Sequence, residues 1–484
     1  MRKIYFTAVS LCICQLVVSQ IPNLPDISRP QTSGLGNYYN NNYGSPTARK
    51  SYTPTMPSHS RSVQSNDYDT RVNSRNNAIM QDIERDIAEV RQAEFRRWVE
   101  NGRNMPFDLP SLSGKAGTQS YYDAYNKLTA MDSENYSLGD VNFTVENAFY
   151  DNKQDLKSFK SGIQKTAKQL LQKMKERKQD TESNVSKNLM LFEYFSKDMN
   201  LGGTTHKAFE YDFKDYMGEK DWSKMFVSKL LKTGSGQCHS LPQYYLMLAE
   251  AMGAEAYLSL APNHSYVRFM DDEMQYRNIE LTNGMFSTDT SLLESGYIKS
   301  EALQSKIYMD NLTKKELLGM AYFDLARGYV RKFGYDEFVN KVIDKALELY
   351  PNGIAPNMEK ANVEQVRLLS GLKRLGINPD DKRDIERASY FPRANELFQQ
   401  LQEQDKKIDE LGYTEMPAYA YESWLAGLKT EKNKQESEAL LQKIHLYQLQ
   451  KQKERQEQET VKKAQEKKKQ DTKPKYIPID PNKL

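Results

Sequence analysis

Cys238, His264 and Glu280 fall within one short stretch, residues 233–283, and are the side-chain types a cysteine acyl-transfer site needs. In that chemistry a thiolate attacks a carbonyl. An imidazole takes the thiol proton and later returns it to the leaving group, while a carboxylate fixes the ring tautomer. The spacing predicts how each residue is held. Gly234-Ser235-Gly236 makes a tight turn, and Cys238 follows two residues after its last glycine. Pro242 is tolerated in the first turn of a helix, where its missing N–H costs nothing. Leu241, Tyr244, Tyr245, Leu248 and Met252 then recur at helical spacing until Gly253 stops the run. Cys238 is therefore expected at a helix N-terminus, where unpaired N–H groups and the macrodipole favour thiolate over thiol.

Beyond Gly253 the pattern changes to short strands. Residues 256–260 read as a strand and 261–263 as a turn. A second strand, 264–269, opens on His264. The Asp271-Asp272-Glu273 turn leads into a third, 274–281, which carries Glu280. Each member has a plainer alternative. Cys238 could be a small buried hydrophobe, His264 a turn residue and Glu280 an exposed strand acid. Asn278 and Asn283 are alternative orienters for His264. Gln237, next to the nucleophile, is a candidate oxyanion donor beside the Cys238 N–H. His239, one residue further along, points to a different face and is read as substrate-lining or structural rather than as the base.

These segments resemble the transglutaminase-like superfamily. His264-Ser265-Tyr266-Val267-Arg268-Phe269 is similar to that family's His-Ala-Trp-Val-x-Val strand. Ile279-Glu280-Leu281-Thr282 is similar to its hydrophobic-Asp-Pro-Thr segment, and Gly236-Gln237-Cys238 before an apolar helix to its nucleophile turn. Two positions depart from the pattern: Glu280 is one methylene longer than the usual Asp, and Tyr266 replaces the usual Trp at a place tied to substrate stacking. The resemblance implies an α+β fold, a transglutaminase-like (papain-like) core with a Cys-bearing helix on a small antiparallel sheet. It also implies acyl transfer or hydrolysis on protein or peptide amides by Cys238, His264 and Glu280, with no cofactor.

The rest of the chain frames that core. Lys and Arg total 68 against 65 acids in 484 residues, a balance that gives no global argument for nucleic acid. The lysines of 165–178 spread around a helix without interleaved aromatics, so no nucleic-acid partner is expected there either. Hydrophobic content of 38% with 27% charge points to polar tails around a smaller core. Arg2 and Lys3, an apolar run over 4–18, and Val17-Val18-Ser19 before Gln20 form a cleavable secretory signal. No stretch is apolar enough for a transmembrane segment. Removing the signal takes Cys12 and Cys14 with it, so Cys238 is left as a lone thiol and neither a disulfide nor a metal site is expected. The sequon at Asn263 would place a glycan beside His264, which favours a bacterial exported protein, secreted or periplasmic.

In order, the expected regions are 1–19 signal peptide, 20–76 disordered Pro/Ser/Asn/Tyr-rich linker, 77–200 helical, and 201–300 transglutaminase-like core. A helical region, 301–428, and a charged helix with a disordered tail, 429–484, follow. Within 78–100, Ile79, Ile83, Ile87, Val90, Phe95 and Val99 form an amphipathic set. Tyr322, Leu325, Ala326, Tyr329, Gly334, Ala346 and Pro351 resemble one tetratricopeptide unit, which is also how a simple helical hairpin reads. Two functions remain open. One is an exported cysteine enzyme acting on a protein or peptide substrate. The other is a non-catalytic scaffold on the same frame, with helical region and tails meeting a protein partner.

Overall fold

The computed structural model describes residues 66–428 and 430–471. The expected signal, most of the linker and the last 13 residues, 472–484, lie outside the described residues. The chain is mainly helical with small sheets, an α+β composition. No described helix is long and apolar enough to cross a membrane.

The chain divides into two compact units: residues 1–109 with 364–400, and residues 110–363 with 401–484. The first is built on the Asn66–Arg103 helix, which begins about ten residues before the expected end of the linker. Its last turns are docked within the unit. Trp98 Nε1 donates to the Leu375 carbonyl at 2.8 Å, and its ring meets Phe391 edge-on at 4.8 Å. Gly371 has no room for a Cβ, which would fall 1.9 Å from the Phe107 ring.

The second unit holds the candidate site. Its largest core cluster joins Leu170 and Met174 to Met190, Phe192, Tyr244, Tyr245, Leu248, Val267, Phe269 and Ile279. Residues expected in three separate regions (77–200, 201–300 and 429–484) therefore share one core, since Ile444 from the C-terminal helix belongs to it as well. Next to it, Lys314–Phe333 and Glu337–Leu349 pair as the helical hairpin of the tetratricopeptide-like stretch. Thr313 and Glu316 close a capping box at the start of that hairpin. Gly319 allows the close approach, because a Cβ there would lie 3.0 Å from the Ala346 carbonyl.

The main sheet is a four-stranded antiparallel meander, Tyr257–Ala261, His264–Met270, Tyr276–Glu280 and Met285–Ser287. The fourth strand lies beyond the three the sequence pattern predicts; only three residues long, it is too short to show an alternation. A helix covers one face and other segments the opposite face, so His264, Tyr266, Val267, Arg268 and Phe269 are buried without regard to parity. Both sheet edges are covered as well. Met309 and Leu312 donate backbone N–H groups to Leu260 and Leu258, and the Phe286 N–H finds the Ser437 hydroxyl. Two smaller pairings lie outside this sheet. Met199–Leu201 pairs antiparallel with Thr204–His206 across the Gly202-Gly203 turn, and Glu210–Tyr211 pairs parallel with Ser235–Gly236 just before the nucleophile turn.

Candidate active site

The turn before Cys238 is built to a tight specification. Gly234, at φ 70°, caps the Val227–Thr233 helix in the left-handed region that glycine favours. Gly236 has no space for a side chain: a Cβ would sit 2.7 Å from Ser240 Oγ and 2.9 Å from Leu230 Cδ1. The Gln237 N–H donates to Ser240 Oγ at 3.1 Å, and the Leu241 N–H to the Gln237 carbonyl at 3.0 Å, winding the chain into the Ser240–Met252 helix. Cys238 lies two residues before that helix, buried at 7% exposure. The Ser265 hydroxyl ties its carbonyl to the neighbouring strand.

The sheet register brings the other two residues together. Val267 pairs with Ile279, so Tyr266 stands opposite Glu280 and His264 is Glu280's diagonal neighbour on the same face. A diagonal contact asks for reach, and the longer acid supplies it. His264 Nε2 lies 2.6 Å from Glu280 Oε2, with both side chains buried. The other carboxylate oxygen accepts from the Thr282 N–H at 2.9 Å and the Thr282 hydroxyl at 2.6 Å. Asn263, at φ 56° in the tight turn before His264, places its carbonyl 4.0 Å from Cys238 Sγ.

Charge balances across the cluster. Burial alone would raise the Cys238 thiol, but the neighbouring His264 ring with its charge, and the Tyr421 hydroxyl, bring it below its ordinary value. Burial would likewise lower His264; the Glu280 charge first, then the nearby Cys238 and the hydrogen bond to Glu280, instead push it up to about 10. Glu280 is held below the usual carboxylate range against its own burial, by His264 and Thr282. The three shifts run in the directions that favour a thiolate, an imidazolium and a carboxylate in one enclosed cluster, where such charges interact strongly.

One member has no signal in the sequence. Tyr421, on the Ala418–Gly427 helix, puts its hydroxyl 3.2 Å from His264 Nδ1, 3.8 Å from Cys238 Sγ and 3.3 Å from the Tyr211 hydroxyl. Its phenol is raised well above the ordinary value, first by burial, so it stays neutral and able to donate. Trp424 of the same helix meets the His264 ring edge-on at 5.1 Å and donates Nε1 to the Ser291 carbonyl. Asn263 Nδ2 holds the Met416 carbonyl at 2.7 Å, and Asn283 Nδ2 the Leu428 carbonyl at 3.1 Å. Residues 416–428 are thereby fastened over the thiol from both ends. Tyr421 lies 183 positions from Cys238, inside a helix of ordinary appearance, so no local spacing marks it.

The remaining candidates are placed elsewhere. Gln237 is fully buried, with its amide nitrogen turned to the Asp215 carbonyl at 3.4 Å, so its side chain is committed there rather than open to a carbonyl oxygen. Tyr266 is buried at 1% exposure and shares its hydroxyl with Ser259, which removes it from any stacking surface. Asn278 bridges Arg268 and Asp289, and Asn283 binds the covering segment, so the orienting contact on His264 is made by Glu280. His239 turns from the thiol toward the Met225 carbonyl at 3.0 Å and Asp324 at 2.9 Å, beside a cavity of about 30 Å³ that Glu146 and Gln243 also line. Burial would lower His239; the Asp324 carboxylate and the Met225 carbonyl raise it to about 9. No group of three or more His, Cys, Asp or Glu that could hold a metal ion occurs among the described residues.

No family model matches the chain, and no curated protein matches it. Among solved structures, a crystal structure of menin that reveals its binding site for Mixed Lineage Leukemia (MLL) protein is similar at 12% identity. It covers 59% of this chain and 75% of that one with a TM-score of 0.27, a likeness too slight to carry an argument.

Proposed function

We propose that the chain is an exported cysteine acyl-transfer enzyme on a transglutaminase-like core, acting on protein or peptide amides. The observation that carries this reading is the buried His264–Glu280 pair at 2.6 Å beside a thiol lowered by that same ring. Cys238 Sγ attacks the amide carbonyl and forms a thioester as the C–N bond breaks. The imidazolium of His264 gives its proton to the departing amine. His264 then deprotonates the acceptor, water or a second amine, whose attack releases the acyl group and restores the thiolate. Glu280 holds the ring and its charge throughout and is not itself protonated. The test is turnover of a glutamine- and lysine-rich protein with a labelled primary amine, read as label incorporation and as ammonia release. Wild type should give one or both, and Cys238→Ala neither. Equal signals from wild type and Cys238→Ala would refute the reading.

A second reading is favoured by a specific observation. Residues 416–428 close over the thiol, with Tyr421 buried at 1% exposure between Cys238 and Tyr211. On that basis the chain is a non-catalytic scaffold that keeps the frame of the enzyme and uses its helical region to meet a protein partner. Absence of turnover in wild type, with the covering segment intact at every condition tried, is the outcome expected of it.

A further inference from the structure

The Asn66–Arg103 helix carries an apolar stripe on which no described residue packs. Every residue from 70 to 92 is exposed, and Val72, Ile79, Met80, Ile83, Ile87 and Val90 are each 39–57% exposed. At 100° per residue these six side chains fall within one band along the helix, so the sequence builds an amphipathic face that the chain does not bury. In proteins most helical stability comes from packing an amphipathic face rather than from propensity, which makes a partner for this face the physical expectation.

We propose that this stripe is the two-fold interface of a homodimer, in which the same helix of a second copy packs antiparallel against it. Three observations choose this occupant. First, the chain outside the described residues has no match to offer. Apart from its apolar start at 4–18, residues 1–65 are rich in Pro, Asn, Ser and Tyr without helical apolar spacing, and 472–484 contain three prolines. Second, the stripe is complementary to itself when reversed. A two-fold axis near residue 81 sets Val72 against Val90 and Ile79 against Ile83, each twice by symmetry. The same register brings Arg75 beside Asp86 of the partner subunit. Arg75 and Asp86 lie on the same flank of the stripe, as antiparallel pairing requires, and both are exposed. Third, the area is adequate. With each of the six side chains leaving on the order of 90 Å² uncovered, a symmetric pair removes about 1,000 Å² before its polar flanks are counted, near the ~1,200 Å² lower bound of stable interfaces.

The test is sedimentation equilibrium of the full chain from sub-micromolar to about 50 micromolar. A 56.0 kDa chain should approach twice its mass with concentration. Ile79→Glu with Ile83→Glu, on a face that no described residue covers, should raise the dimer dissociation constant by at least tenfold with an unchanged circular dichroism spectrum. Arg75→Asp alone should weaken the dimer several-fold, and Arg75→Asp with Asp86→Arg should restore it. A chain that stays monomeric throughout overturns the proposal, whether its own N-terminal segment, another protein or a lipid surface covers the stripe instead. A dimer indifferent to the Ile79/Ile83 change overturns it too. Failure of the charge exchange to restore a weakened dimer rules out the antiparallel register.

Discussion

Replacing His264 by Ala removes the neighbouring side chain that contributes most to lowering the Cys238 thiol, and the charge it carries. What remains around Cys238 is burial, which raises the thiol, and the weaker contributions of Tyr421 and His239. The thiol should therefore return to its ordinary range or above. A thiol of ordinary pKa, about 8.5, is only ~3% ionised at pH 7, so thiolate content at neutrality should fall in the variant to a few per cent or less. The assay is the ultraviolet absorbance of the thiolate titrated against pH, taken as the difference from Cys238→Ser; it needs no reagent to reach a covered sulfur. In wild type the titration midpoint should lie below that of an ordinary thiol. In His264→Ala the absorbance should rise with pH from a low value at neutrality. Glu280→Gln should move the midpoint the same way but less, because the ring remains and loses only the charge that raises it to about 10. Coincident titrations of wild type and His264→Ala would refute the ion-pair reasoning at its root.

Two further perturbations test other parts of the molecule. Glu146 is fully buried and raised to about 7 by that burial, although its carboxylate accepts the Val227 and Ser228 N–H groups at 2.6 and 2.9 Å. An acid raised above its unfolded value binds protons more tightly when folded, so its contribution is present at low pH and lost as pH rises from about 4.5 through 7, a loss of ~3 kcal/mol. Denaturant unfolding of wild type and Glu146→Gln should show a stability difference that changes with pH over that window; a difference flat with pH would contradict the assignment. Tyr421→Phe keeps the covering ring and deletes the hydroxyl, so the thiolate midpoint should rise by less than about one unit, as for a single lost donor. An unchanged midpoint would show that the hydroxyl, at 3.8 Å, does not act on the sulfur.

The parts of the site visible in the sequence are those fixed by local chemistry. Gly236 is required by atoms within five residues on either side or by its own turn, apart from Leu230, which lies six residues back, and Gly253 stops the helix with φ at 64°. The strand beginning at His264 is announced by the turn before it, and the strand bearing Glu280 by the Asp271–Glu273 turn. What was not visible depends on partners distant in sequence. The fourth strand, Met285–Ser287, exists because Ile279 and Glu280 offer it a free edge and Ser437 closes the other side. The commitment of Gln237 to the Asp215 carbonyl and of Tyr266 to Ser259 follows from packing, so adjacency to the nucleophile and to the histidine said nothing of it. The apolar spacing of Ile79, Ile83 and Ile87 did mark a helix, yet that pattern is the same for a face turned to a core and a face left in water.

The covering segment and the ion pair bear on one another. A thiolate and an imidazolium in a buried site cost desolvation unless hydrogen bonds satisfy them, and the Tyr421 hydroxyl, able to accept from His264 Nδ1 and donate to Cys238 Sγ, helps to do so. The same ring excludes solvent, which strengthens the His264–Glu280 attraction that holds the proton in place. Yet an amide carbonyl must come within bonding distance of Cys238 Sγ, and the space it needs is where Tyr421 and Trp424 now pack against His264. The charge arrangement that suits catalysis is thus assembled in the state least able to admit a substrate. The fastenings that would have to yield are few and polar: Asn263 to Met416, Asn283 to Leu428, Trp424 to Ser291 and Tyr216 to Glu422. Each such bond contributes about 1 kcal/mol net, while Met416, Tyr421, Leu425 and Leu428 add a small apolar cluster of their own. A segment held this way opens at a cost that binding a polypeptide can offset, and that is the physical condition under which the enzyme reading and the covered thiol are compatible.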